Sequence, residues 1–250
     1  LYSDEMDTIS FEDILELVKQ SLEIKNSKFP KVSIDSGGFS FYKGFKFISS
    51  SKGIHAGEIE AGISAGYMGM AVDGDDIGSF DHEGCFSRNL SAFRKEQSEN
   101  FSEFLVKCMN ALKAKKIDGF RGNILIPPDS VFSFLGDLLG SLSASSIRRS
   151  RSKFGDKMNI AVASNLLSIN ENPHIPGFGG TTSFDREGMA TVPKDVIKNG
   201  VIKSFFYNHY EAKKAGASSS QGNALGGASA SPSCGPRQLQ VEPGSTALSD

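Results

Sequence analysis

The chain has 250 residues, of which 38% are hydrophobic, and it contains 19 Phe but no Trp. Its 27 basic and 29 acidic residues give a formal net charge of -2, which argues against a general electrostatic attraction to nucleic acids. No apolar run reaches the roughly 20 residues that a membrane-spanning helix needs. From the charge balance we expect no direct nucleic-acid partner, and from the lack of such a run we expect no membrane partner.

The first predicted elements are a helix and a set of strands. Helical spacing of apolar residues covers 7–24, with Ser10 as the expected N-cap and Asp13 completing an approximate capping box. Residues 31–80 change character, because apolar and polar residues alternate in short runs that glycines interrupt. This pattern predicts antiparallel strands with one face in water.

The middle of the chain returns to helical spacing. An acidic turn is predicted at 73–81, and a second helix at 98–116. A short apolar strand is then expected at 122–128, ended by a Pro-Pro pair. The following helix would be capped by Asp129 or Ser130 and contains no histidine.

The last third of the chain is predicted to consist of short strands. Two of them are expected at 156–163 and 166–169. Residues 189–210 predict a hairpin whose turn is Asn199-Gly200, since Asn-Gly between apolar runs is the strongest short hairpin signal.

These elements together predict an α+β fold with antiparallel sheets and flanking helices. A flexible loop is expected at 215–236, which is rich in Gly, Ala and Ser. We expect two domains, a helix and antiparallel-strand part at 1–120 and an α+β domain at 121–250. Because the chain starts at Leu1 and stops at Asp250 inside what looks like a continuing segment, we expect both ends to be truncated.

The sequence does not supply an obvious zinc site. A catalytic zinc commonly uses two His side chains one helical turn apart, and no two of the four histidines have that spacing. His82 with Cys85 stays open as an alternative metal pair, against a simple surface turn. The one Gly-x-Ser-x-Gly match, Gly62-Ile63-Ser64-Ala65-Gly66, falls inside the alternating run predicted as a strand and not at a strand-to-helix turn, so no nucleophile elbow is expected. We therefore predict no catalytic residue and no metal ligand in this chain.

The cysteines bear on the compartment. Cys85, Cys108 and Cys234 are odd in number and irregularly spaced, which does not indicate a disulfide framework. Since unpaired thiols suit a reducing environment, the sequence predicts a cytoplasmic protein.

An ordered series of motifs begins at Phe184-Asp185-Arg186-Glu187-Gly188. It continues through the Asn199-Gly200 hairpin and Gly222-Asn223-Ala224 to Val241-Glu242-Pro243-Gly244. In this order and spacing the series resembles the C-terminal domain of the TldD/PmbA family, although Arg186 stands where that family usually has an acidic residue. The resemblance points to a peptide-binding or structural motif made of Asp185, Glu187, Gly188, Asn199, Gly200, Gly222 and Asn223.

One helix separates the two branches of that family. TldD-like members carry a His-Glu-x-x-x-His helix that holds zinc, and PmbA-like (TldE-like) members lack it. The corresponding stretch here, Val131 to Ser143, contains no His. The chain thus resembles the PmbA-like branch, which implies a non-catalytic subunit of a TldD–PmbA-type zinc protease complex that degrades or matures unfolded peptides.

The resemblance also implies partners. These are a TldD-like catalytic subunit, in which alone zinc is expected, or a second copy of this chain, together with an unfolded peptide. A strand edge at the Asn199-Gly200 hairpin or at 215–227 would suit such a peptide. Two alternatives stay open, a metallopeptidase active in its own right and a modulator of DNA gyrase, the role behind an older label of the family.

Overall fold

The computed structural model describes residues 2–246, except for the side chain of Asp129, so the expectations placed on Leu1 and Asp250 fall outside it. The predicted domains 1–120 and 121–250 stay a prediction. The chain divides into two compact units, each with its own hydrophobic core. Unit 1 comprises Leu1–Phe45, Ile59–Gly122 and Pro176–Gly179, and unit 2 comprises Lys46–Glu58, Asn123–Ile175 and Gly180–Asp250.

Unit 1 begins with a 3-10 helix, Asp4–Thr8, followed by α1, Phe11–Lys28. The capping box predicted for α1 is confirmed. The Asp13 N–H donates to Ser10 Oγ at 3.1 Å, and the Ser10 N–H donates to Asp13 Oδ2 at 3.0 Å. These bonds satisfy two N–H groups that a helix N-terminus leaves without partners, and they fix the start of α1 at Phe11.

The second helix of unit 1, α2, covers Leu90–Asn110 and begins earlier than the predicted 98–116. Its cap explains the difference, because Asn89 Oδ1 accepts a hydrogen bond from the Ala92 N–H at 2.7 Å. The Phe residues that gave the helical spacing lie in its second half, so they marked the helix without marking its start.

The predicted antiparallel strands of 31–80 are confirmed as a four-stranded sheet. β2 lies beside β1 and pairs antiparallel with both β3 and β4. The predicted acidic turn at 73–81 is shorter than expected, because β3 pairs directly with the end of β2. The strands are β1 Val32–Ser49, β2 His55–Asp73, β3 Asp76–Ile77 and β4 Asp81–Ser87.

Aromatic side chains fill the core of unit 1. Phe93, Phe101 and Phe104 of α2 are at most 1% exposed and pack in one cluster with Tyr67 of β2. The ring centroids of Tyr67 and Phe101 lie 4.7 Å apart in an edge-to-face arrangement. Gln97 crosses this core and donates from Nε2 to the Tyr67 hydroxyl at 2.7 Å. Burial of apolar surface is therefore the main stabilising term in unit 1.

Unit 2 is built from shorter elements. An antiparallel sheet has the strand order β10-β5-β6-β7, and β8 pairs with β9 in a separate two-stranded ladder. The strands are β5 Ile169–Glu171, β6 Lys194–Lys198, β7 Val201–Ile202, β8 Ala224–Leu225, β9 Ser233–Cys234 and β10 Leu239–Val241. The helices are α3 Pro128–Ser141, α4 Ala144–Arg148 and α5 His209–Ala215.

The core of unit 2 lies between α3 and the sheet. Leu139 and Leu142, at the end of α3, pack with Ile169 of β5, Ile197 of β6 and Phe206. All five side chains are at most 6% exposed. With helices and antiparallel sheets in both units, the predicted α+β class is confirmed. Within residues 2–246, no helix is long and apolar enough to cross a membrane.

Two predictions around α3 are wrong. The helix begins at Pro128 with Pro127 as N-cap, so Ser130 lies in its first turn and is not the cap. The other predicted cap, Asp129, has a side chain that lies outside the described part of the structure. Residues 122–128 do not form the predicted strand, and Ile124 and Leu125 are 75% and 80% exposed. An apolar run forms a strand only where a neighbour accepts its hydrogen bonds, which local sequence does not reveal.

Three more predictions in unit 2 need correction. Residues 156–163 form turns and a single-residue bridge rather than a strand, since Asn159 turns the backbone with φ 62°. The strand predicted at 166–169 begins at Ile169 and continues to Glu171. The 215–236 segment, predicted as a loop, contains the β8–β9 ladder.

Candidate functional site

Asp185 organises the first of the predicted motifs. Its carboxylate is 2% exposed and accepts three backbone N–H groups. Oδ1 accepts from Glu187 at 2.8 Å and Met189 at 3.0 Å, and Oδ2 accepts from Ala224 at 3.0 Å. The first two bonds close the turn after Asp185, and the third ties that turn to β8. Asp185 therefore holds two loops together and has its hydrogen-bonding capacity largely filled from within.

The rest of this turn is also used structurally. Glu187 Oε2 accepts the His209 N–H at 2.8 Å and so binds the first residue of α5. Gly188 closes the turn with its N–H donated to the Asp185 carbonyl at 3.0 Å. The three predicted glycines share positive φ angles, 79° at Gly188, 76° at Gly200 and 77° at Gly222.

The predicted Asn199-Gly200 hairpin is confirmed, with a turn between β6 and β7. Both turn residues have positive φ, 48° and 76°, as expected for a type I′ turn. The Gly200 carbonyl accepts N–H groups from Val162 and Ala163, and the Asn199 N–H donates to Ser168 Oγ at 3.1 Å. Residues 159–163 thus already occupy the outer edge of this hairpin, where a peptide strand was expected to bind.

Gly222-Asn223 belongs to a buried ionic group. Asn223 is 1% exposed, and its Nδ2 donates to both carboxylate oxygens of Glu171 at 2.9 Å. Lys194 Nζ lies 2.7 Å from Glu171 Oε2 and also donates to Asn223 Oδ1. The Arg237 N–H donates to Glu171 as well. Glu171 is buried with a cation and several donors, as a buried charge requires.

A second buried carboxylate, Glu58, lies in the same unit. Its carboxylate accepts hydrogen bonds from the Thr182 hydroxyl at 2.6 Å and from the Ser183 N–H at 2.8 Å, and it forms an ion pair with Lys46. Burial alone would raise the pKa of Glu58, but the hydrogen bonds from Lys46, Thr182 and Ser183 outweigh it and hold this pKa below its ordinary value.

Arg237 links these carboxylates electrostatically. Burial lowers the pKa of its guanidinium, and the charges of Asp185, Glu171 and Glu58 act in the opposite direction. One Nη group donates to the Ala224 carbonyl. Its Nε is buried without a hydrogen-bond partner among the described residues. The network therefore contains one guanidinium donor that the protein leaves unused.

The predicted residues do not form one constellation. Asp185 and Asn223 are brought together through Ala224, which follows Asn223 and donates its N–H to Asp185. Glu187 turns toward α5, and Asn199-Gly200 bonds to residues 162–168. Their peptide-binding role stays a prediction, while their contacts within unit 2 are those of a structural motif.

A surface cleft of about 420 Å³ opens beside this network in unit 2. Three of its side chains are cationic and four, including Ala228, are apolar. We call it the basic cleft; it is lined by Lys46, Phe47, Ile48, Phe184, Asp185, Arg186, Gly226, Ala228 and Arg237. Its size lies within the roughly 300 to 1,000 Å³ range of small-molecule sites.

Sequence reasoning missed Glu58, Glu171, Lys194 and Arg237. Only Glu171 carried a local signal, because it alternates with Ile169 on the buried face of β5, where a charge is unusual. Glu58 and Thr182 are 124 positions apart, so their contact leaves no local pattern.

The alternative His82/Cys85 metal pair is not supported by the fold. Both residues lie on β4, where positions three apart face opposite sides of the sheet. His82 is exposed and Cys85 is buried. Within the described residues, no cluster of three or more His, Cys, Asp or Glu side chains is arranged to hold a metal ion.

The donor set of α3 does not fit zinc. This helix lies where the family resemblance places His-Glu-x-x-x-His, but its residues there include Phe, Leu, Gly and Ser and no His. Leu135, Leu138 and Leu139 point into the core of unit 2. A catalytic zinc requires three protein ligands from N, S or O donors, and the inward face of α3 offers hydrocarbon instead.

Comparison with known proteins agrees with the motif series. Residues 121–250, just over half of the chain, match the family described as the PmbA/TldA metallopeptidase C-terminal domain. The chain is 28% identical over 196 residues to the Metalloprotease PmbA homolog of Haemophilus influenzae, and 22% identical over 185 residues to Metalloprotease PmbA of Escherichia coli O157:H7. Each match covers 74% of this chain and 41% of the relative, so the chain spans less than half of their length.

Solved structures share the fold. TldE from Thermococcus kodakarensis matches with a TM-score of 0.81 and 17% identity over 99% of this chain and 56% of that chain. A Thermotoga maritima protein, described as a proposed modulator of a DNA gyrase, matches with a TM-score of 0.84 and 21% identity over 99% and 55%. From the matched domain and the ordered motifs, we conclude that this chain belongs to the PmbA/TldD family.

Proposed function

We propose that this chain is a PmbA-like, non-catalytic subunit of a cytoplasmic zinc protease complex that degrades or matures unfolded peptides. The observation that carries the proposal is the inward face of α3. Its Leu135, Leu138 and Leu139 pack in the core of unit 2, in the place where a catalytic member of the family would present metal ligands. Zinc and the activated water would then come from a TldD-like partner.

The relatives support the direction of this proposal. Two relatives of the chain are named metalloprotease PmbA or its homolog, and one structural neighbour is named TldE. Family membership therefore favours peptide hydrolysis by the complex. Because the inward face of α3 offers no zinc ligand, another chain would perform the hydrolysis.

The contribution of this chain would be a shaped, rigid surface. In unit 2 the Asp185 turn, the Asn199-Gly200 hairpin and the Gly222-Asn223 segment hydrogen-bond one another or their neighbours. Such fixed loops can present a peptide to a catalytic subunit without ordering cost at the moment of binding. The basic cleft opens beside the Asp185 turn in unit 2.

Co-purification from the native cell extract tests the subunit role. The tagged chain is expected to recover, in near-equal amounts, a protein whose sequence contains His-Glu-x-x-x-His, identified by mass spectrometry. A matched bait with Arg151→Gln, an exposed position, controls for nonspecific charge capture. Repeated recovery of the chain by itself, or only as pairs of itself, would contradict a TldD-like partner.

The same preparation separates the two alternatives. Stoichiometric zinc in the purified chain alone would favour a metallopeptidase active in its own right. Binding to duplex DNA that weakens steeply with salt would favour a DNA-directed role, because such binding releases counterions from phosphates. We expect neither result.

A further inference from the structure

We infer that the basic cleft of unit 2 is a subsite for a carboxylate attached to an apolar group, with the C-terminal end of a peptide as its ligand. The inference rests on the proposed peptide-processing function and adds what part of the peptide this chain would recognise. It is carried by three cations at one recess, by the way each cation is already held, and by the apolar wall beside them.

Lys46 is the most satisfied of the three cations. Its Nζ is paired with Glu58, contacts Thr182 Oγ1 at 2.7 Å, and lies 4.6 Å from the centroid of the Phe184 ring. These contacts fix the ammonium group at the wall of the cleft. Because Glu58 balances its charge, Lys46 alone would not give a net attraction for an anion.

Arg186 is held without being neutralised. Its Nε donates to the Gly227 carbonyl at 3.1 Å, and one Nη donates to the carbonyls of Ala228 at 3.1 Å and Ala230 at 2.6 Å. Neutral carbonyls orient a guanidinium but leave its full charge. Along the described part of the chain, no carboxylate lies within ion-pair distance of Arg186.

Arg237 has no carboxylate within ion-pair distance along the described part of the chain, although the charges of Asp185, Glu171 and Glu58 act on it through space. It donates to the Ala224 carbonyl, and its Nε is a buried donor that finds no acceptor in the described residues. Asp185 also lines the cleft, but its two oxygens already accept three backbone N–H groups. The cleft therefore combines two guanidinium groups lacking a direct carboxylate partner with one carboxylate whose acceptors are largely used.

The apolar side of the cleft narrows the ligand class. Phe47, Ile48 and Phe184 line it beside the cations. Phe47 is 59% exposed and Ile48 is partly exposed, so a peptide ending in an apolar residue would contact them while its carboxylate lies at the arginines, which a free inorganic anion would not do. A charge-assisted hydrogen bond from the remaining Nη group of Arg186 to that carboxylate would be stronger than a bond to a neutral acceptor.

Fluorescence anisotropy with three labelled heptapeptides tests this inference. One ends in Leu with a free carboxylate, the second is its C-terminal amide, and the third is the amide with one internal Glu, which restores the net charge of the first. The purified 250-residue chain is expected to bind the free acid about tenfold more tightly than the amide, as for one charge-assisted contact.

Two variants connect the preference to the cleft. Arg186→Gln is expected to bring the affinities for free acid and amide to within about twofold of each other, and Arg151→Gln, an exposed site outside the cleft, to keep the tenfold difference. Because Arg186→Gln removes bonds that hold the 227–230 loop, a second variant, Arg237→Lys, keeps the charge and that loop but removes the planar guanidinium. It is also expected to reduce the preference for the free acid. Circular dichroism verifies that each variant is folded.

Each outcome decides the matter. Preference for the free acid over both amides supports a C-terminal subsite, and equal gains for the free acid and the Glu-containing amide support a carboxylate subsite filled by an acidic side chain. Equal binding of all three peptides, absence of binding, or a full preference retained in both cleft variants would overturn the inference. Recovery of a zinc-bearing partner is measured separately, so the subunit proposal and the subsite can fail independently.

Discussion

Unit 1 and unit 2 differ in what fills their interiors. The interior of unit 1 is largely aromatic, with Phe101 and Phe104 of α2 against Tyr67 of β2. In unit 2 the apolar core shares the interior with buried charges, among them Glu171, which is 1% exposed, and its partner Lys194.

The difference follows the lengths of the elements. Long strands and helices in unit 1 satisfy most of their backbone groups through regular hydrogen bonds, so few of its side chains are needed as buried acceptors for loops. Unit 2 has strands of two to five residues, and loops such as the Asp185 turn depend on buried side chains to accept their N–H groups. Loops held by buried polar contacts can line a specific cleft, and unit 2 is where the family motifs lie.

Phe101→Ala is expected to cause the largest loss of stability, because it opens a cavity in the aromatic core of unit 1. Large-to-small substitutions of buried Phe destabilise by about 3–5 kcal/mol. Phe11→Ala on α1 is the matched control, since Phe11 is 73% exposed and its change should stay within about 0.5 kcal/mol. Urea unfolding measures both, and similar losses in the two variants would contradict an aromatic core in unit 1.

Lys194→Met tests the charged interior of unit 2. Removing this cation leaves Glu171 buried without its ion-pair partner, which is expected to cost about 3 kcal/mol in the free energy of unfolding. Adding Glu171→Gln removes the orphaned charge and should recover part of the loss. A double-mutant cycle measures the coupling, and purely additive losses would show that the pair does not act as a unit.

Gly200→Ala tests the hairpin turn that closes β6 and β7. A Cβ at Gly200 would lie 2.3 Å from the Ala163 carbonyl oxygen, at a φ of 76°. Gly216 is the matched control, because its φ of 71° is similar but a Cβ there meets nothing within 4 Å. Thermal or urea unfolding is expected to show Gly200→Ala about 2 kcal/mol less stable than Gly216→Ala. Equal losses would mean that the close approach of residue 163 is absent.

The smallest expected effect is a difference in pH response. Burial raises the pKa of Cys85 and Cys108 in unit 1 to about 11 from 9.0, so their contribution is complete below the unfolded value and is lost as the pH rises toward the folded value. Each thiol should therefore lower the free energy of unfolding by about 1 kcal/mol as the pH rises from roughly 8 to roughly 10.

Unit 2 should respond at the other end of the scale. The pKa of Glu58 lies below its ordinary 4.5, so its contribution is present above that value and is lost as the pH falls below it. Hydrogen exchange followed by mass spectrometry separates α2 from β5 and β6. Replacing both thiols by Ala should flatten only the alkaline loss in α2, and Glu58→Gln only the acid loss in unit 2. Identical pH profiles for both units would contradict the comparison.

Local chemistry made some elements predictable from sequence. The Ser10–Asp13 capping box and the Asn199-Gly200 turn each depend on residues a few positions apart, and both are present as predicted. The strand expected at 122–128 failed because strand formation depends on a partner elsewhere in the chain. Periodicity likewise identified α2 but not its cap at Asn89.

The candidate site was predictable only in part. The motif series led to Asp185 and Asn223, which lie at the buried network, but not to Glu58 or Arg237. Glu58 reaches Ser183 across 125 positions, and such contacts follow from the tertiary fold rather than from any local pattern. The departure at Arg186 could be read from the sequence, yet its place in the basic cleft required the fold.

We propose that this chain belongs to a zinc protease complex without carrying its zinc. The most direct test measures zinc by elemental analysis and hydrolysis of an unfolded peptide for the purified chain, alone and after addition of the His-Glu-x-x-x-His protein recovered with it. We predict no stoichiometric zinc and no cleavage by the chain alone, with both appearing in the mixture. One bound zinc and peptide cleavage by the chain in isolation would contradict the account.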